Sequence, residues 1–209
     1  TSGDVAAFIA EPVLGEGGIV APPAEYFTVA ARIFHEEGAL FIVDEVQTGF
    51  GRTGKMFGIE HAPEAKPDIL AMAKGIAAGF PLGAFMAREP VSEAMKPGDH
   101  LSTFGGNPIS CAAALANLEV LREEKLVENS ARRGGELLLR LKKLEESAPR
   151  VGEVRGRGLM IGIELVRDRK TKEPAAAEAK EARAALRERG VLVGVGGAYG
   201  NVVRLQPPL

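Results

Sequence analysis

The chain has 209 residues, of which 45% are hydrophobic and 26% are charged, and 26 basic residues against 28 acidic ones give a formal net charge of −2. This length suits one sizeable core, or a large and a small lobe, and this composition excludes collagen, coiled coils and disordered tails. The balanced charge argues against a nucleic-acid-binding surface, and no apolar run approaches the roughly 18 residues that span a bilayer. We therefore expect a cytoplasmic protein without nucleic-acid or membrane partners.

Short apolar runs alternate with amphipathic stretches over the first two thirds of the chain, a pattern typical of a sheet covered by helices. Apolar residues at helical spacing predict a helix over 23–37 that ends at Gly38. The strands that we predict in this part are 5–10, 39–43, 69–73 and 83–87. The first two strands and the helix between them form a βαβ unit, for which a right-handed crossover is strongly preferred.

A long helix is predicted to begin at Asn107–Pro108, and a second helical stretch covers 130–144. The charged patch Glu123–Lys125 marks the predicted boundary between a large domain, 1–124, and a small C-terminal α/β domain, 125–209. The elements predicted in the small domain are strands over 151–155, 159–166, 191–195 and 202–205 and a helix over 175–189.

Charged residues follow three of the predicted strands at the point where each strand ends. Glu11 follows the first strand, Asp44 and Glu45 follow the second, and Lys74 follows the third. Ligands of open α/β sheets collect at the carboxyl ends of the strands, so these side chains are candidates for one binding site. The alternative is that they are simple ion pairs or solvated strand ends.

The segment after the second strand also invites comparison with nucleotide triphosphatases. Phe41–Glu45 imitates a Walker B strand, and Gly49–Lys55 fits the pattern G-x-x-x-x-G-K. However, Met56 stands where a serine or threonine must bind magnesium, and the glycines follow the acidic strand without a strand of their own before them. We therefore reject an ATPase function for this segment.

His35, His61 and His100 lie far apart with no metal-ligand spacing, so no metal site is expected.

A lysine and an aspartate near each other suit the chemistry of pyridoxal 5'-phosphate. The lysine amine condenses with the cofactor aldehyde, and a carboxylate at the ring nitrogen keeps that nitrogen protonated so that the ring accepts electrons. Ser102–Asn107 offers hydroxyls and backbone amides for the phosphate before a helix that begins at Pro108. Arg204 is a planar bidentate donor for a substrate carboxylate. Spacing alone does not show that these residues meet.

Six blocks of the sequence resemble the class III pyridoxal-phosphate aminotransferases, in the order of that family and over nearly the whole chain. The branch that contains alanine-glyoxylate-type enzymes is the most similar, with ornithine and 4-aminobutyrate aminotransferases as more distant members. The resemblance implies fold type I, the aspartate-aminotransferase-like α/β architecture, with part of the large mixed or parallel sheet domain and a small C-terminal domain. The blocks are Glu11–Gly18, Asp44–Gly54, Pro67–Ala84, Ser102–Pro108, Val154–Leu159 and Val203–Leu209.

The resemblance also implies a role for each residue that holds the cofactor. Lys74 would form the Schiff base and then move a proton between the substrate Cα and the cofactor's C4' carbon. Asp44 would pair with the pyridine nitrogen, Val46 would pack on the ring, and Gln47 would hydrogen-bond its 3'-oxygen. Thr103 would reach the phosphate in the other subunit, which implies a homodimer.

For the substrate, the resemblance implies that Arg204 binds the α-carboxylate and that Glu16 pairs with this arginine when the substrate presents an ω-amine. Glu11 would support Asp44 or the backbone from behind the site. The implied reaction moves an amino group between an amino acid or ω-amine and a 2-oxo acid such as pyruvate, glyoxylate or 2-oxoglutarate. Another class III reaction, by an aminomutase or a decarboxylase, and a non-catalytic dimer-forming remnant are the alternatives.

The chain begins at Thr1 without a methionine, and the family's phosphate-holding Gly-Ser/Thr loop and ring-stacking aromatic are not found before Glu11. We therefore expect the middle and C-terminal part of a longer aminotransferase. Each charge-assisted hydrogen bond to a phosphate contributes about 1.5 to 3 kcal/mol, so we expect these residues alone to bind the cofactor weakly.

Overall fold

The computed structural model describes residues 3–209, which divide into two compact units. The first unit comprises the chain up to Pro12 together with Pro22–Phe50 and Met56–Leu126. The second unit comprises Val13–Ala21, Gly51–Lys55 and Val127–Leu209. These units are defined by contacts within the chain, and the division into domains 1–124 and 125–209 stays a prediction.

The first unit contains a four-stranded mixed sheet that confirms the predicted α/β alternation. Its elements are strand β1 (Ala7–Ala10), helix α1 (Tyr26–Glu36), and strands β2 (Leu40–Asp44), β3 (Ile69–Met72) and β4 (Ala84–Ala87). The strands lie in chain order across the sheet; β1, β2 and β3 are parallel, and β4 is antiparallel to β3. Each predicted strand of this unit is therefore found, shifted by no more than two residues at either end.

Two further α-helices lie in the first unit, which also contains 3₁₀ helices over Gly58–His61 and Lys74–Ile76. Helix α2 (Glu89–Ser92) has only four residues, too few for a helical period to be visible in the sequence. Helix α3 (Pro108–Glu123) begins as predicted, because the Asn107 side chain accepts a hydrogen bond from the Ser110 backbone N–H at 2.9 Å and proline occupies the first turn.

Aromatic side chains pack α1 onto the sheet. The Phe8 ring of β1 stacks on the Phe34 ring of α1 with centroids 4.5 Å apart, and Phe27 lies 6.1 Å from Phe41 of β2. Phe41 and Val43 are fully buried, as expected for a strand that lies between two others. The βαβ unit is thus fixed by a continuous apolar layer.

A buried carboxylate joins four elements at the other end of this sheet. Asp68, directly before β3, accepts hydrogen bonds from the Phe41 backbone N–H at 2.7 Å and contacts His35 Nε2 at 2.9 Å. It also forms an ion pair with Arg88 Nε, just after β4, at 2.5 Å, although its own side chain is only 1% exposed. In return the Asp68 backbone N–H donates to the Phe41 carbonyl at 2.8 Å.

The second unit is an antiparallel sheet with two helices, which confirms the predicted small α/β arrangement of elements. The elements are helix α4 (Leu126–Ser147), strands β5 (Val151–Arg157) and β6 (Met160–Leu165), helix α5 (Ala176–Glu188), and strands β7 (Gly194–Gly196) and β8 (Val202–Leu205). The strand order is β5-β6-β8-β7. The strand predicted over 191–195 lies further along, because the apolar residues 191–193 are loop and Leu192 is 84% exposed.

Helix α4 is longer than predicted and lies against β5 and β6. Leu137, Leu138 and Leu141 cover the buried cluster of Val151, Val154 and Ile161. Gly134 faces the backbone of Gly158, and a Cβ atom at Gly134 would collide with the Gly158 carbonyl. In the described part of the chain, no helix is long and apolar enough to cross a membrane.

We expect Asp68→Asn to lower the free energy of unfolding by about 2 kcal/mol or more, because an uncharged amide leaves part of the buried donor set unpaired. The shift in urea midpoint, followed by far-UV circular dichroism, measures this. Asp4→Asn changes an exposed aspartate of the same unit and is the matched control. Equal midpoints for the two variants would contradict the role assigned to Asp68.

Candidate active site

Three of the predicted site residues lie at one edge of the first unit's sheet. Glu11 follows β1 directly, Asp44 is the last residue of β2, and Lys74 comes two residues after β3. The strands are parallel neighbours, and Asp44 is opposite Ala71 in the β2–β3 register. Because neighbouring strands are about 4.8 Å apart, Asp44 and the turn that carries Lys74 are adjacent.

Lys74 has an unusual backbone conformation. It begins a one-turn 3₁₀ helix, Lys74–Ile76, and its φ of +43° lies in the left-handed region that non-glycine residues rarely adopt. The side chain is exposed. Such strain costs about 1 to 3 kcal/mol and is characteristic of functional sites, where neighbouring contacts must maintain it.

One of those contacts comes from Asn117 of α3. Its side-chain Nδ2 donates to the carbonyls of Gly75 at 2.8 Å and Ile76 at 3.2 Å, which are the two residues after Lys74. Sequence reasoning missed Asn117, because a single amide in an alanine-rich helix gives no signal of a partner about 40 residues away.

Asp44 is oriented by the turn that follows it. Its Oδ1 atom accepts a hydrogen bond from the Val46 backbone N–H at 2.9 Å, and the side chain is half-buried. Val46 and Gln47 are also half-buried in this turn. A carboxylate held in this way beside a lysine suits a cationic ring nitrogen, so the residues present fit the cofactor that the sequence indicates.

The turn after Asp44 depends on Glu45, which the sequence marked only as one of the charged residues that follow a strand. Glu45 is fully buried, and its carboxylate accepts hydrogen bonds from Thr48 Oγ1 at 2.5 Å and from the Gly58 and Ile59 backbone N–H groups at 2.8 Å each. Burial raises the pKa of Glu45 above its usual value, and the three hydrogen bonds oppose this rise only in part. The carboxylate therefore joins the segment after Asp44 to residues 58–59.

Thr103 lies in a different loop of the first unit, before α3. It is exposed, and the loop is closed by a hydrogen bond from the Gly105 backbone N–H to Ser102 Oγ at 2.9 Å. A cavity of about 360 Å³ opens beside this loop; among its lining residues are Ser102, Gly105 and Asn107. Hydroxyls and a helix N-terminus are thus present at the place where the sequence predicts phosphate contacts.

The two predicted substrate residues meet in the second unit. Arg204, on β8, donates through Nη1 to Glu16 Oε1 at 2.5 Å and to the Gly15 carbonyl at 3.4 Å. The arginine side chain is only 13% exposed, whereas that of Glu16 is 72% exposed. The Glu16 carbonyl in turn accepts the Gly197 backbone N–H at 2.9 Å.

A second arginine, missed by sequence reasoning, fixes the loop that carries Glu16. The Gly18 carbonyl accepts hydrogen bonds from Arg155 Nε at 3.0 Å and Nη2 at 2.8 Å. Arg155 also pairs with Glu153 at 2.7 Å and with Glu164. Among residues 3–209, no group of three or more His, Cys, Asp or Glu side chains is arranged to bind a metal ion.

The chain is similar to known proteins in sequence and in structure. The family model described as aminotransferase class-III matches residues 1–209. The mitochondrial alanine–glyoxylate aminotransferase 2 homolog 2 of Arabidopsis thaliana is 47% identical over 209 residues, which are 100% of this chain and 44% of that protein. A leucine/methionine racemase of Thermococcus litoralis is 45% identical over 205 residues, 98% of this chain and 46% of the relative.

Among solved structures, an amine transaminase from an uncultivated Pseudomonas species, described as PLP-bound in the internal aldimine form, matches with a TM-score of 0.90 and 43% identity. The match covers 97% of this chain and 47% of that one. The chain therefore spans about half the length of the proteins that it resembles.

The raised pKa of Glu45 predicts a pH dependence of stability. The folded protein binds this proton more tightly than the unfolded chain, so the contribution of Glu45 is largest below the unfolded pKa of 4.5 and falls as pH rises through the folded pKa. Glu45→Gln does not titrate and should lack this fall. We therefore expect the urea midpoint of the wild type, relative to that of the variant, to decrease as pH rises above 4.5 and through the folded pKa of Glu45.

Glu64→Gln, which changes an exposed glutamate of the same unit, is the control and should keep the wild-type pH profile. A midpoint difference between wild type and Glu45→Gln that is constant with pH would show that Glu45 does not titrate differently in the folded state.

Proposed function

Because the chain belongs to the aminotransferase class-III family and has its fold type I architecture, we propose that it acts as a pyridoxal-phosphate-dependent transaminase. It moves an amino group between an amino acid or ω-amine and a 2-oxo acid such as pyruvate, glyoxylate or 2-oxoglutarate. The observation that carries the proposal is the placement of Asp44 and Lys74 at the ends of adjacent parallel strands. Since the chain spans about half of its relatives, the activity is proposed for the protein of which these residues form part.

Pyridoxal phosphate supplies an aldehyde that takes up the amino group and a ring that accepts electrons from the bond broken at the substrate Cα. The chain's own residues provide the rest. Lys74 Nζ would hold the cofactor at its aldehyde carbon and would carry the proton to and from the substrate Cα. Asp44 would keep a proton on the ring nitrogen, Val46 would pack on the ring, and Gln47 would hydrogen-bond the ring oxygen.

Substrate binding is assigned to the second unit. Arg204 binds the α-carboxylate, because its guanidinium is nearly buried and its fork matches a carboxylate. Glu16 pairs with Arg204 when the substrate offers no carboxylate at this position. The Glu16 side chain is 72% exposed, and this exposure supports such an exchange of partners at Arg204. Glu11 supports the Asp44 side of the site from the end of β1.

Assembly and location complete the proposal. We propose a homodimer in which Thr103 reaches the phosphate of the other subunit's cofactor, supported by its exposure in the loop before α3. We also propose a cytoplasmic location, which the balanced charge and average composition of the chain support.

Other reactions on the same cofactor compete with transamination. The aminomutase, decarboxylase and non-catalytic alternatives are not favoured by the relatives described above. One relative is described as a racemase, so the stereochemistry of the recovered amino acid has to be followed together with the 2-oxo acid product.

The test is an absorbance titration with pyridoxal phosphate, then borohydride reduction and peptide mapping, on this chain and on the natural protein that contains it. We expect the label on Lys74 and its loss in Lys74→Ala, because only an amine forms the reducible adduct. Lys66→Ala, which changes an exposed lysine of the same unit, is the control and should keep the label. Incubation with L-alanine and 2-oxoglutarate should yield pyruvate.

A label on other lysines, or none in either protein, would overturn the proposal. If the incubation yields D-alanine and no pyruvate, the reaction is racemisation and the proposal of transamination is wrong. A label only in the natural protein would support the proposed function and place the missing phosphate ligands outside these 209 residues.

A further inference from the structure

The guanidinium of Arg204 lies directly against strand β7. Strands β7 and β8 are antiparallel neighbours, with Gly194 opposite Arg204. A Cβ atom at Gly196 would lie 2.9 Å from Arg204 Nε, 3.2 Å from Cζ and 3.3 Å from Cδ. A Cβ atom at Gly194 would lie no closer than 3.4 Å to the same side chain.

Backbone conformation does not explain these two glycines. Both lie in extended strand β7, and neither has a positive φ. Any residue therefore suits the backbone at either position, and the difference between them is the space that Arg204 occupies above Gly196.

The nitrogen that faces Gly196 has no hydrogen-bond partner among the described residues. Arg204 Nε is buried and donates no hydrogen bond, whereas Nη1 donates to Glu16 Oε1 and to the Gly15 carbonyl. An unpaired buried N–H is unfavourable, so a ligand or tight packing has to compensate for this orientation of the guanidinium.

We propose that Gly196 is a positioning residue for carboxylate recognition: its missing side chain sets the plane of the Arg204 guanidinium, and Gly194 has no such role. This inference rests on the proposed function of Arg204. Because the atoms that Cβ would meet belong to the far end of a flexible side chain, alanine at 196 displaces the guanidinium and leaves the fold intact. The consequence is lost affinity for carboxylate at unchanged stability.

The first experiment compares two amino donors on the cofactor-loaded natural protein. L-alanine carries a carboxylate, and isopropylamine has a methyl group in its place. We expect Gly196→Ala to raise the KM for L-alanine about tenfold, equivalent to about 1.4 kcal/mol, and to leave the KM for isopropylamine and both kcat values within about twofold. Gly194→Ala should leave both donors within about twofold of the wild type.

The second experiment needs no cofactor and no turnover. The 209-residue chain with ¹⁵N-labelled arginine is titrated with propionate, and the Arg204 Nε–H resonance is assigned by its absence in Arg204→Lys. We expect a saturable shift in the wild type and in Gly194→Ala, and a titration that is at least about tenfold weaker in Gly196→Ala. Thermal melts of the three proteins should coincide.

The outcomes separate this inference from the proposed function. If no variant transaminates but propionate binding is weakened only by Gly196→Ala, the proposed function is refuted and the positioning role of Gly196 is kept. Equal effects of the two glycine variants, or equal loss for L-alanine and isopropylamine, would overturn the inference. Gly196→Ser serves as a second variant; if both 196 variants fail to fold, Gly196 is needed for folding and the inference is also wrong.

Discussion

A reciprocal pair of hydrogen bonds between Phe41 and Asp68 sets the register on which the first unit depends. The Asp68 carboxylate accepts the Phe41 N–H at 2.7 Å, and the Asp68 N–H donates to the Phe41 carbonyl at 2.8 Å. Strands β2 and β3 have only five and four residues. Hydrogen bonds that fix the pairing where the two strands begin therefore also determine which residues are neighbours where they end. A slip by one residue would turn every side chain of a strand to the opposite face and separate Asp44 from the Lys74 turn.

A second buried carboxylate acts at the opposite end of β2. Burial removes the Glu45 carboxylate from water and thereby raises its pKa. Three hydrogen bonds from residues 48, 58 and 59 hold this carboxylate in place. The two carboxylates therefore fix both ends of one strand, and Asp44 is placed between fixed points. Preorganisation of this kind lets a site act without rearranging its own charges at the moment of reaction.

The sequence predicted the elements and the strand-end charges well, because both follow from local patterns. Apolar runs identified seven of the eight strands to within about two residues at most ends, and β8 coincides with the predicted 202–205. Strand β7 was misplaced because Val191 and Leu192 are apolar yet exposed in a loop, and apolar character alone does not distinguish loop from strand. The roles of Lys74, Asp44, Thr103, Arg204 and Glu16 stay proposals that came from the family resemblance.

What the sequence did not predict depends on contacts between distant residues. Asn117 meets the Lys74 turn across 42 positions, and Arg155 meets Gly18 across 137. No local periodicity marks such partners, since each is a single polar residue on an otherwise ordinary helix or strand. The space above Gly196 could not be predicted from the sequence for the same reason, because it is defined by the Arg204 side chain on the neighbouring strand.

The left-handed backbone at Lys74 has an evolutionary consequence. Glycine and asparagine adopt φ near +43° at lower cost than lysine, so the fold would gain stability from either of them at this position. Natural proteins give up stability where chemistry demands it. A library of this chain selected for thermal resistance alone would drift toward glycine or asparagine at position 74, and lysine would persist only under selection for its amine.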